Sequence, residues 1–132
     1  MSSEATAKTA VRTARAPQPA GPYSQGIEAN GFLYTAGFGP QDPETGVVPQ
    51  TIAEQTRQVL RNVGAVLAER GLTLDDCVKT TVHLADLSDF AEFNDAYREF
   101  FSEPYPVRTT VGSQLANILV EIDVVAVLPQ GV

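Results

Sequence analysis

The sequence has few residues that make cross-links or metal cages. It contains one cysteine, Cys77, so no disulfide can form within the chain. It contains one histidine, His83, and a single His with a single Cys falls short of the usual zinc ligand set. Positive charge is also scarce: nine Lys and Arg stand against sixteen Asp and Glu, a formal net charge of -7. A general nucleic-acid binder needs clustered cations to neutralise phosphates, so that class is disfavoured. No apolar run approaches the roughly 20 residues that span a bilayer. These absences leave a reduced, soluble, cytoplasmic setting as the simplest expectation, with neither membrane nor nucleic acid as partner. What is present is ordinary for a globular fold: 132 residues, 43% hydrophobic and 19% charged, enough for one domain.

Residues 1–13 read as a flexible leader and 14–130 as a single domain. Residues 1–16 are rich in Ala, Ser and Thr, with Lys8, Arg12 and Arg15 against one acid, Glu4. That composition loosely resembles a transit peptide, though a frayed leader whose later part enters the first strand is the plainer reading.

The domain opens with two short runs, at 23–29 and 31–38, joined by Asn30-Gly31, the strongest short-range hairpin signal. Asp42, Pro43 and Gly46 mark a turn. Residues 51–70 then take the helical period, with Ile52, Thr56, Val59, Leu60, Val63, Val66 and Leu67 on one face. Thr51 and Glu54 form a capping box and Gly71 a stop. Val78, Thr80, Val82 and Leu84 alternate with polar residues as a strand. A second helix starts at Ser88, carries Phe90, Phe93, Tyr97, Phe100 and Phe101 on one face, and ends by Pro104. Strands near 106–112 and 117–127 close the chain.

The order β-β-α-β-α-β-β predicts an α+β fold with both helices on one face of a single sheet. In the last strand Leu119, Glu121, Asp123, Val125 and Val127 share the other face, still mostly apolar. Such a face should not stay in water, so a homo-oligomer covering it is expected.

Two residues stand out chemically. Arg108 follows Tyr105-Pro106-Val107, and its guanidinium fork suits a carboxylate. Glu121, flanked by Val120 and Ile122 and two residues from Asp123, has the surroundings that raise a glutamate into acid/base range. On neighbouring strands the pair could hold an organic acid and move protons on it, or simply form an inter-strand ion pair. Asn94 sits on the apolar stripe of the second helix and either ties down a loop or faces a ligand. Tyr23 could close a pocket or pack. His83 reads as surface, and Cys77 as a small apolar residue.

Six motifs then fall in order: GPYSQG at 21–26, TAG at 35–37, DPETG at 42–46, VKTTVHLADLSDF at 78–90, YPVRTTV at 105–111 and VEIDVVAV at 120–127. Together they resemble the RidA/YjgF family of enamine/imine deaminases, across residues 14 to 128. The resemblance implies a chorismate-mutase-like protomer with a mixed sheet, assembling as a homotrimer with clefts between subunits. It implies hydrolysis of short 2-imino acids such as 2-iminobutanoate and 2-iminopropanoate to 2-keto acids and ammonia, without metal or organic cofactor, as detoxification of reactive metabolites. Arg108 then binds the substrate carboxylate and Glu121 positions the attacking water. Tyr23 covers the cleft, Asn94 joins it from the second helix, and a backbone amide near Gly37 helps hold the acid. The chain departs from the family pattern where Ala36 replaces a serine, Phe38 a glutamine and Thr110 a cysteine. Thr110 can still donate a hydrogen bond, while Ala36 and Phe38 make the pocket more apolar. The interval from Arg108 to Glu121 is also shorter than in well-known deaminases, which tightens the hairpin expected there. Alternative readings are a non-catalytic, carboxylate-binding or regulatory trimer, a biosynthetic member with another substrate, and, weakest, the ribonuclease activity attributed to some relatives.

Overall fold

The computed structural model describes residues 7–129. Its elements are β1 (Thr9–Val11), β2 (Gly26–Ala29), β3 (Phe32–Thr35), α1 (Ile52–Ala68), β4 (Cys77–Leu84), α2 (Phe90–Arg98), β5 (Val107–Gly112) and β6 (Val120–Val127). The six strands make one sheet in the order β1-β2-β3-β6-β4-β5. Every pairing is antiparallel except β4 with β5, which α2 joins as a crossover. The fold is therefore α+β with two helices on a mixed sheet, as expected.

Local chemistry accounts for most boundaries. Asn30 and Gly31 both take positive φ, 52° and 87°, the backbone that a two-residue primed turn requires between β2 and β3. Thr51 caps α1 by accepting from the Glu54 amide. The capping box closes only on that side, because the Glu54 carboxylate turns to Arg57. Gly71, at φ 72°, stops the helix as expected. The seven residues expected on the buried face of α1 are all buried. The six apolar ones among them pack with Val120, Ile122, Val124 and Ala126 of β6 and with Phe93 and Tyr97 of α2 in one core. At roughly 1.5–3 kcal/mol per large apolar side chain, this layer is the main source of stability.

Several expectations need correction. Thr9–Val11, inside the span read as leader, pairs with β2 as an edge strand and buries Val11; residues 1–6 lie outside the described residues. The cap before α2 is Asp86, which accepts from the Ser88 amide and starts a short 3-10 turn. α2 ends at Arg98, and Phe101, beyond it, folds back to stack on Tyr97 with ring centroids 4.4 Å apart. Phe90 stays largely exposed. The last strand starts at Val120 rather than 117. Most consequentially, β5 and β6 form no hairpin and are not neighbours, since β4 lies between them.

Candidate active site

Glu121 lies on β6, on the sheet face turned away from the helices, with His83 of β4 as its register partner. After β3 the chain continues beside β6. Phe38 donates its amide to the Ile122 carbonyl at 2.9 Å and accepts the Ile122 amide at 3.2 Å. This two-way bridge presses Gly37 against Glu121: a Cβ added at Gly37 would stand 2.5 Å from the carboxylate Oε2. Tyr23 completes the wall, its hydroxyl accepting from the Ala20 amide at 3.1 Å. Tyr23, Gly37, Phe38, Gln41, Ile118 and Glu121 all border one cavity of about 420 Å³. The opposite wall is fixed by Gln25, whose buried amide group bonds Thr13, Ala16 and Pro17.

Arg108 occupies different ground. Its register partner is Thr80 of β4, a buried residue on the helix-covered face, so the arginine side chain runs under α2. The guanidinium carbon stands 4.8 Å from the Tyr97 ring centroid, 5.3 Å from Phe93 and 5.6 Å from Phe90. Arg57, Arg70 and Arg98 each meet a carboxylate, whereas among the described residues none lies within ion-pair distance of Arg108. Arg108, Asn94, Tyr97, Tyr105 and Pro106 border a second cavity of about 310 Å³. Burial pushes the Tyr97 hydroxyl's pKa up, opposed by its bond to Thr80 and by the Arg108 charge.

The alternative of an inter-strand ion pair between Arg108 and Glu121 therefore falls, and so does the expectation of neighbouring strands, since β4 lies between β5 and β6 and the two side chains leave opposite faces. The structure groups Tyr23, Gly37, Phe38 and Glu121 on one side, and Asn94 with Arg108 on the other. Thr110 shares the strand and face of Arg108, opposite Val82, but does not border its cavity. Ala36 does not border the Glu121 cavity either, its amide going instead to the Gln25 carbonyl.

Sequence reasoning passed over His83. It stands opposite Glu121, half-buried, with Nδ1 2.7 Å from the Ser113 hydroxyl. Burial raises the pKa of nearby Asp123, and the positive charges of His83 and Lys79 oppose the rise. Cys77 is buried, and desolvation with Asp76 and Asp75 pushes its thiol up to about 12. Among the described residues no cluster of His, Cys, Asp and Glu could hold a metal ion, and no helix is long and apolar enough to cross a membrane.

The sequence profile described as Endoribonuclease L-PSP matches residues 13–128. A RutC family protein of Pyrococcus abyssi is 46% identical over 123 residues, covering 91% of this chain and 97% of the relative. The chain belongs to the RidA/YjgF family. Reactive Intermediate Deaminase A, chloroplastic, of Arabidopsis thaliana is 40% identical over 131 residues, 97% of this chain and 70% of the plant protein. Among solved family structures, Escherichia coli TdcF with bound serine superposes with a TM-score of 0.86 at 34% identity, over 92% of this chain and 99% of that one. In this RidA/YjgF chain, each of the two cavities holds only part of the residue set that the family resemblance implied.

Proposed function

We propose that this RidA/YjgF chain is a cofactor-independent deaminase that hydrolyses short-chain 2-imino acids to 2-keto acids and ammonia, working as a homotrimer. The observation that carries the reading is the division of the site. An arginine with no carboxylate partner among the described residues borders one cavity, and a glutamate held against a glycine backbone borders another, on opposite faces of the sheet. Each half lacks what the other holds, and β5 is an edge strand, so a neighbouring copy can bring its Glu121 to the Arg108 of the first. The half-exposed apolar residues of the outer face, Tyr34, Val107 and Val111 among them, are consistent with cover by another copy. The serine bound to TdcF is itself a small carboxylate.

In that shared cleft the Arg108 guanidinium grips the substrate carboxylate with two parallel N–H donors, and the Gly37 amide offers a third. Anchoring fixes the imine carbon beside Glu121. Glu121 accepts a proton from water as the water oxygen bonds to that carbon and the C=N electron pair moves to nitrogen. The resulting carbinolamine takes the proton from Glu121 on its nitrogen. The C–N bond then breaks as Glu121, now deprotonated, takes the hydroxyl proton, releasing ammonia and leaving the keto group. A protonated imine is electrophilic already, so one acid/base group and one anchor suffice. The net charge of -7 opposes the RNA cleavage that the profile's name carries.

The test is ammonia release from 2-iminobutanoate or 2-iminopropanoate generated in situ by an amino-acid oxidase, with Arg108→Ala and Glu121→Ala alongside. Loss of turnover in both variants supports the reading, and wild-type turnover no faster than the variants refutes it. Saturable binding of a 2-keto acid without turnover would leave a carboxylate-binding trimer instead.

A further inference from the structure

The arginine is the anchor of the reaction proposed above, yet among the described residues no carboxylate holds it in place. What surrounds it is aromatic. Phe90, Phe93 and Tyr97 present three ring centroids within 5.6 Å of one guanidinium carbon, inside the reach of cation–π attraction. The nearest ring is itself fixed. Tyr97 is buried, Phe101 stacks on it, and its hydroxyl lies 2.8 Å from the Thr80 hydroxyl. Thr80 is also the register partner of Arg108 across the parallel β4–β5 pair. Its neighbours along that face of β4, Val82 and Leu84, are apolar and fully buried. A hydroxyl in such a row requires a partner, and Tyr97 supplies it.

We infer that Tyr97, locked by Thr80, is a positioning residue that holds the Arg108 guanidinium ready for an incoming carboxylate. The inference rests on the reading of Arg108 as anchor. Its logic is one of accounting for donors. A carboxylate partner would occupy the guanidinium fork and neutralise it. The rings hold the charge without neutralising it, and among the described residues no carboxylate takes up the guanidinium's N–H donors. The side chain is ordered before substrate arrives, so less freedom is lost on binding.

The test uses the full-length protein, with calorimetric binding of 2-oxobutanoate and of the uncharged 2-oxobutanamide, and with turnover measured in parallel. Tyr97→Leu removes the ring and should weaken 2-oxobutanoate binding about tenfold while amide binding changes little. Tyr97→Phe keeps the ring and its stacking, and Thr80→Val keeps the shape of the threonine. Each should weaken acid binding about threefold, with the double variant no worse than either single one, because both cut the same bond. A loosened cavity would weaken acid and amide alike, so the acid-to-amide ratio identifies positioning. An unchanged ratio in Tyr97→Leu overturns the inference, and if that variant does not fold, an unchanged ratio in Tyr97→Phe and Thr80→Val does so. Wild-type protein that fails to bind 2-oxobutanoate overturns it together with the anchor role. Normal wild-type turnover with unaffected variants removes the inference alone.

Discussion

Arg108 and Glu121 stand on opposite faces of one sheet, with the whole of β4 between their strands. Register fixes this. Arg108 pairs with Thr80, Thr80 pairs with Val124, and Val124 is an odd number of residues from Glu121, so the two side chains leave the sheet in opposite directions. No rotamer within one copy can join them. If the working site is shared between copies, two inactive variants should repair each other. Co-expressed Arg108→Ala and Glu121→Ala chains, mixed at random in trimers, should recover about a quarter of wild-type activity, since one shared cleft in four receives both intact residues. Purified separately, each should be inactive. Co-expressed trimers as inactive as the single variants would exclude the shared cleft.

Gly37 tests the other half of the site. Its φ lies outside the left-handed region, so alanine suits the backbone there, but the new Cβ would meet Glu121 Oε2 at 2.5 Å and Cδ at 3.1 Å. The carboxylate must swing away. Gly37→Ala should lower kcat about a hundredfold through that misplacement. The melting temperature should move by only about 2 °C, because no core contact is lost. Gly46→Ala is the contrast. A Cβ there meets nothing within 4 Å, but at φ 77° the strain falls on a turn away from the cavity, so stability should fall and kcat should not.

Legibility in the sequence followed the range of the interaction. The Asn30-Gly31 hairpin, the buried face of α1 and the alternation along β6 depend on residues within a few positions of one another, and each appears where periodicity placed it. Strand order is not local. The β4–α2–β5 crossover runs parallel and sets β5 outside β4, and no spacing between 105 and 127 encodes that choice. Hence Arg108 and Glu121 were expected on neighbouring strands. Tyr23, Gly37, Phe38 and Glu121 do gather, because the β3 extension follows β6 directly. His83 reads as surface because it lies on the polar face of its strand and has no second histidine or cysteine, and its register partner, Glu121, is distant in sequence. Tyr97 was read only as part of an apolar stripe, because a helical face does not reveal that it lies over a cation. β1, with three residues, is too short to carry a period.

Gln25 joins fold to site through one side chain. It is 2% exposed; its Oε1 accepts the Thr13 amide at 2.7 Å and its Nε2 serves the carbonyls of Thr13, Ala16 and Pro17. Pro17 and Gln18 border the Glu121 cavity, so this amide group holds one of its walls. Gln25→Ala leaves the Thr13 amide and the Pro17 carbonyl unpaired, while Gln18 still serves the Thr13 and Ala16 carbonyls, and should cost about 2–4 kcal/mol, read as a lower urea midpoint. Gln25→Glu should do worse than a neutral isostere, because a carboxylate would face three carbonyl oxygens. A Gln25→Ala midpoint equal to wild type would show that water replaces the side chain without loss.

Asp123 gives a pH dependence with a definite sign. It is half-buried on the outer face of β6, where Lys79 and His83 of β4 are the nearby positive groups. Desolvation raises its pKa above the ordinary 3.8, and those charges only partly offset the rise. The native chain therefore holds this proton more tightly than the unfolded chain does. The stabilisation is complete below the unfolded value and is lost as pH climbs through the raised native one. Asp123→Asn imitates the protonated form at every pH. It should raise the urea midpoint relative to wild type at pH 7, and that advantage should vanish near pH 3.5. A variant less stable than wild type at pH 7 would mean that the charged carboxylate gains more from its cationic neighbours than burial takes away.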